Sequence, residues 1–484
     1  MTRALLDYYR CPEDIARVVP EGRFSEEPGF FRFGSEATCY GRLSGARPAR
    51  RVDDILADAR MRAGVKRRGV ALPFDPSDVV DNLRLERYRA NTNGWTAKAT
   101  RTLQSAYYGL RPISPTFVRT SVQRIYYSGW QEIPFPLWPV DFSVDRILQG
   151  VLTMLLETRP AEGVPFIWFW PHGFSSCAMM THDVESARGR DFCPRLMDLN
   201  DAFGIRASFQ IVPEGRYQVS DEFLDSIRSR GQEINVHDLN HDGLLFGDRE
   251  TFCARAEKIN RYARAYGAHG FRAGAMYRQA AWYDALDVSY DMSIPNVAHL
   301  EPQRGGCCTV MPYFIGDILE LPLTATQDWA LINVLREHSC DLWKREIDMI
   351  TAEHGLVSFI VHPDYLIRSK AQQVYAELLA HLAMLRSEGK LWVALPREIN
   401  EWWRQRAKMR IVRRHGGWTI EGPGKEHARI AYARLVDGRL NYVLESAFTA
   451  KASFSAVKAD NAALPCVGVT QRLAERTTRT SRRF

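Results

Sequence analysis

Between about residue 164 and residue 405, short apolar runs alternate with longer amphipathic stretches. The apolar runs are Phe166–Trp170, Ala178–Val184, Ile205–Val212, Glu233–His237, Gly270–Ala273, Ile318–Leu323, Leu356–His362 and Leu391–Leu395. They have strand length. The stretches between them, Arg190–Phe203, Asp221–Arg230, Arg249–Tyr266, Leu342–Glu353 and Ala371–Glu388, read as helices. Strand alternating with helix predicts βα units, hence an α/β fold with a mainly parallel sheet or barrel. Chemistry in such folds gathers at the C-terminal ends of strands, which gives each motif below a place to be tested.

The flanking regions follow other patterns. Residues 1–160 form a mixed N-terminal region. In it Val52–Ala63 reads as a short amphipathic helix, and Pro76-Ser77-Asp78 starts another that ends near Tyr88, with Ser77 as its cap. Arg124–Asp141 carries Tyr126, Tyr127, Trp130, Phe135 and Trp138 among three prolines. It reads either as an extended segment packed on the main domain or as an aromatic wall for a sugar or other flat ligand. In residues 410–465 the runs Arg410–Val412, Trp418–Ile420, Ala428–Arg434 and Leu440–Leu444 are punctuated by glycine turns, predicting a small β appendage. Residues 466–484 read as a basic tail without fixed structure.

Composition narrows the classes. The 484 residues are 45% hydrophobic and 25% charged, as in globular proteins. Lys plus Arg number 64 against 57 Asp plus Glu, a spread-out excess of +7 that gives no support to nucleic-acid binding. Nine cysteines, an odd number with no CxxC pair, argue against a disulfide framework and for a reducing compartment. The N-terminus lacks the apolar core of a secretory signal. The most apolar stretch, Val164–Met180, is broken by Pro171, His172 and Gly173, so no membrane span is expected. A cytoplasmic protein is the expectation.

Four motifs sit at predicted strand ends. In Thr181-His182-Asp183-Val184-Glu185, alternation puts Asp183 and Glu185 on one side and His182 on the other. Two acids so placed need a cation, a proton or an arginine between them. His237-Asp238-Leu239-Asn240-His241 offers an i, i+4 histidine pair; with a carboxylate it makes a metal-ligand set with positions left open for water and substrate. In Gly270-Phe271-Arg272-Ala273-Gly274-Ala275-Met276-Tyr277, Arg272 is placed to orient a carboxylate, and the small residues let backbone N–H groups approach a reacting oxygen. Phe359-Ile360-Val361-His362-Pro363-Asp364-Tyr365 ends a strand in a histidine suited to general-acid work. Between the last two lies Glu320 to Trp329, in which Asp328 could partner a histidine and Trp329 could wall a pocket, or both could be loop and packing residues.

The ordered set THDVE, HDLNH, FRAGAMY, LPLTATQDW and FIVHPDY resembles the polysaccharide deacetylase family, the NodB homology domain of carbohydrate esterase family 4. The resemblance covers residues 164–405. It implies a distorted (β/α)₇ barrel; the mixed region 1–160 would then be an extension packing on or lidding it, and 410–465 a small β appendage after it. It also implies a divalent metal, usually zinc, and hydrolytic removal of N- or O-linked acetyl groups from a saccharide or glycan precursor. His237 and His241 match the metal-ligand histidines, Arg272 the arginine that orients the catalytic aspartate, and His362 the general acid. Asp328-Trp329 resembles the family's acid–tryptophan pair, with Asp328 tuning His362. Ala275, Met276 and Tyr277 fall where the oxyanion donor and substrate contacts lie. The first motif departs: Asp183 matches the catalytic base, but Val184 stands where the ligand aspartate is usual. Alternation makes Glu185 the substitute ligand, with the inverted assignment, Asp183 on the metal, still open. Gly274 stands where the family often has proline. Two rival readings remain: an amidohydrolase opening a cyclic amide or imide on the same barrel, and a carbohydrate-binding protein with degraded chemistry.

Overall fold

Nine strands assemble into one curled sheet around which the rest of the chain is arranged. They are β1 Ser176–Val184, β2 Ala207–Ile211, β3 Glu233–His237, β4 Gly270–Arg272, β5 Tyr290–Asp291, β6 Tyr313–Ile315, β7 Ile318–Glu320, β8 Leu356–Ile360 and β9 Leu391–Val393. The computed structural model describes residues 3–66, 69–91, 126–158, 163–414 and 417–445. The expected tail 466–484 and the stretch 446–465 of the appendage lie outside them.

The sheet order is β6-β7-β5-β4-β3-β2-β1-β8, with β9 also on β1. Every pairing is parallel except the β6/β7 hairpin. β2 pairs with the upper half of β1 (Met180↔Ala207) and β9 with its lower half (Ser176↔Leu391). The result is a mixed α/β half-barrel. Its open side is bridged by the chain after β7: Ala325 N donates to Ser358 O (3.2 Å), and Ser358 N donates to Thr324 Oγ1 (2.9 Å). That bridge brings the segment around Asp328 beside the end of β8.

Alternation along β1 divides the core. Cys177 and Met179 pack with Phe30, Phe31 and Phe74 of the N-terminal region. Ala178, Met180 and Val184 pack on the other face with Leu196, Ile259 and Phe359, under the helices. Each large apolar side chain so buried contributes about 1.5–3 kcal/mol. The helices start where local chemistry permits. Ser186, Ser220 and Asp248 accept from Gly189 N, Phe223 N and Thr251 N, capping helices Ala187–Ala202, Asp221–Arg228 and Arg249–Tyr266.

Several sequence expectations are corrected. Phe166–Trp170 does not enter the main sheet. Its strand, Val164–Ile167, pairs antiparallel with Ile430–Val436, which in turn pairs with Arg439–Leu444. The strand stops as the indole N–H groups of Trp168 and Trp170 turn to Phe174 O and His354 O (2.7 Å each). Val52–Ala63 forms only a 3₁₀ turn, Ala59–Arg62, because Asp58 Oδ1 is committed to Gly34 N and Arg60 N (3.0 Å each). Helix Pro76–Arg84 is capped by Asp75 and not by Ser77, whose hydroxyl accepts from Ala4 N (3.2 Å). The eight described cysteines are all unbonded. Among the described residues no helix is long and apolar enough to cross a membrane.

Candidate active site

The motifs converge where β1, β3, β4 and β8 end. His237 closes β3 and is paired in register with Arg272, which closes β4. Asp183 lies near the end of β1, and Glu185 is the residue before the Ser186 cap. His182 points the other way, into the helical layer. Its Nδ1–H donates to Val361 O (3.0 Å) and its Nε2 accepts from Asn200 Nδ2 (3.0 Å). Burial lowers its pKa to about 4, so it stays neutral and apart from the site.

Glu185, His237 and His241 each offer one ligand atom, all within 4.8 Å of one another. Glu185 Oε1 is 2.9 Å from His241 Nε2 and 3.7 Å from His237 Nε2. His237 Nδ1 faces Arg272 O at 3.1 Å, and a carbonyl only accepts, so the proton sits on Nδ1 and the Nε2 lone pair is free. Both Nε2 atoms are buried, and neither makes an aligned hydrogen bond among the described residues. Leaving such groups unsatisfied is costly. Two buried imidazole nitrogens and a carboxylate oxygen within 4.8 Å of one another make a donor set suited to a divalent cation. Asp183 is set differently: its Oδ1 receives Arg272 Nη1 at 2.6 Å, while Oδ2 lies 3.7 Å from His237 Nε2.

The electrostatics follow from these contacts. Burial alone would raise the Asp183 carboxyl, but Arg272, His237 and His362 outweigh it and hold it below its ordinary pKa. Glu185 is likewise held well below its ordinary range, burial being overcome by the three imidazoles around it. His362 Nδ1 donates to Asp328 Oδ1 (2.7 Å), and His362 N donates to Asp328 Oδ2 (2.7 Å). Burial would lower the His362 pKa, yet Asp328 and Glu185 lift it well above the ordinary value. Its Nε2 faces Glu185 Oε1 at 3.4 Å.

Ala275, Met276 and Tyr277 form a turn against the histidines. A Cβ on Gly274 would stand 2.4 Å from Asp238 Oδ2 and 3.1 Å from the His241 ring, which excludes any larger residue there without movement. Asp238, His241, Ala275 and Met276 all have φ of 54–56°, and such left-handed non-glycine residues cluster at functional sites. Met276 N donates to Ala273 O at 3.4 Å and Tyr277 N to Gly274 O at 3.3 Å, both long for turn bonds. Trp329 is half-buried, its ring 5.4 Å from that of Tyr127. The aromatic segment therefore touches the site through Tyr127, while Phe135 packs into the core against Tyr88 (5.1 Å).

Some participants had no signal in the sequence. Thr181 Oγ1 accepts from Arg272 Nη1 (2.7 Å) and donates to Phe359 O (2.6 Å), tying β1 to β8 beneath the site. Glu86, far away in the chain, pairs with Arg278 just after the third motif.

No family model matches the chain, and no curated protein matches it either. Solved structures do. A protein from Mycobacterium smegmatis assigned to the polysaccharide deacetylases is 20% identical, with 51% of this chain and 94% of that chain covered and a TM-score of 0.40. An allantoinase is 13% identical, with 48% and 92% covered and a TM-score of 0.40. A CE4-family pseudoenzyme from Bacillus anthracis is 16% identical, with 47% and 66% covered and a TM-score of 0.31. Likenesses at this level leave the chemistry to the geometry above.

Proposed function

We propose that the chain is a metal-dependent hydrolase that removes an N- or O-linked acetyl group from a saccharide or glycan precursor, on a distorted (β/α)₇ barrel of the NodB kind. The observation that carries this reading is the convergence of Glu185, His237 and His241 beside an arginine-held aspartate and an aspartate-held histidine. A divalent cation held by Glu185, His237 and His241, zinc being the best fit to two imidazoles and a carboxylate, would supply Lewis-acid polarisation of the acetyl carbonyl and of water.

The residues then divide the work. Asp183 is the base: Arg272 occupies Oδ1 and keeps the group ionised, leaving Oδ2 to take a proton from the attacking water. His362 is the acid: Asp328 fixes its Nδ1–H and keeps the ring protonated, so Nε2–H is delivered to the leaving nitrogen or oxygen. Charge developing on the carbonyl oxygen is met by N–H groups of the Ala275–Tyr277 turn. Trp329 with Tyr127 walls the substrate side.

The test is acetate release from N-acetylated and O-acetylated sugars by the full chain, before and after chelation and with zinc restored. Acetate formed only with metal supports the reading. Ring opening of a cyclic amide or imide without acetate would replace it with the amidohydrolase reading. A chain that binds sugar but turns nothing over would replace it with a binding protein.

A further inference from the structure

The N-terminal region reaches the Ala275–Tyr277 turn through one buried ion pair. Glu86 stands just past helix Pro76–Arg84, with φ of 54°. Its carboxylate grips Arg278 with both oxygens: Arg278 Nε donates to Oε2 at 2.7 Å and Nη2 donates to Oε1. The two side chains are 5% and 1% exposed. Oε1 also accepts from Gly306 N (2.6 Å). Gly305 makes room for this, since a Cβ there would stand 2.4 Å from Oε1.

Arg278 passes the hold onward. Its Nη1 donates to Met276 O (2.8 Å). Gln303 brackets its backbone, accepting from Arg278 N (3.1 Å) and donating to Arg278 O (3.0 Å). Within the turn Ala275 and Met276 are left-handed, and the hydrogen bonds from Met276 N and Tyr277 N are long. Buried ion pairs are weak stabilisers on balance, because desolvation offsets the attraction. A bidentate pair nevertheless fixes geometry well.

We propose that Glu86 is a positioning residue: acting through Arg278, it fixes the left-handed Ala275–Met276 turn so that the Met276 and Tyr277 N–H groups stand where the substrate carbonyl gains charge. This rests on the functional reading above, and it makes the N-terminal region a working part of the site.

The test is Glu86→Gln in the full chain, read by hydrogen exchange over residues 274–278 and by steady-state kinetics of acetate release. Exchange there should quicken about tenfold or more while β1 keeps its protection. The kcat should fall about 10–100-fold with KM and zinc stoichiometry little changed, because misplacing donors by about 1 Å weakens only the transition state. A folded variant with wild-type exchange at 274–278 overturns the proposal, and so does quickened exchange with unchanged kcat. If Glu86→Gln does not fold, Gln303→Ala loosens Arg278 without unpairing a charge and should shift exchange and kcat in the same direction; no shift overturns the proposal. A wild-type chain that releases no acetate fails the functional reading alone, since the exchange measurement still decides whether Glu86 holds the turn.

Discussion

Glu185→Ala removes the carboxylate that faces both imidazoles, at 2.9 and 3.7 Å. Outer neighbours of metal ligands typically cost 10–100-fold in affinity when removed, so a direct ligand should cost at least about 100-fold. That is about 2.7 kcal/mol. Stability should register the same loss. Zinc at about 1,000 times the wild-type Kd stabilises the fold by about 4.1 kcal/mol, whereas the variant at that concentration stands at only about ten times its Kd and keeps about 1.4 kcal/mol. Competition titration against a chelator gives the affinity, and urea unfolding with and without zinc gives the second figure. Full zinc affinity in Glu185→Ala, together with its loss in Asp183→Asn, would refute the division of labour and make Asp183 the ligand.

Three further outcomes follow from the same geometry. Asp183→Asn should keep zinc while kcat falls about 10²–10⁴-fold, as for loss of a general base, checked by metal analysis beside the acetate assay. Arg272→Met strands the Asp183 carboxylate in a site where both side chains are at most 4% exposed. It should destabilise by about 3–5 kcal/mol in urea unfolding. Glu346 is fully buried, and burial raises its pKa to about 7 despite hydrogen bonds from Thr326. The folded state therefore keeps a proton that the unfolded state releases near pH 4.5. The stability this contributes is present below that pH and lost as pH rises through 7, a change of about 3 kcal/mol. Glu346→Gln should flatten this slope and unfold later than wild type at pH 8 but not at pH 5, by thermal melts; equal slopes would count against it.

Much of the candidate site's layout was legible because strand alternation is a local rule. It placed Asp183 and Glu185 on one face and His182 on the other, where His182 binds Val361 and Asn200. The i, i+4 spacing of His237 and His241 was also local, although the pair does not lie on a helix: Asp238 and His241 take left-handed conformations in a loop. What alternation could not give was the fate of Phe166–Trp170, whose partner strand lies more than 260 residues away.

The sequence alone determined which residues could hold a cation or move a proton, and at which strand end each would stand, because backbone periodicity and side-chain chemistry act over a few residues. The tertiary structure decided which of them meet. It set Asp328 on His362 and Arg272 on Asp183, and it joined Glu86 to Arg278 across 192 positions. Those contacts are chosen by how the sheet curls and by which buried charges must find a partner, and neither is written in the spacing of residues along the chain.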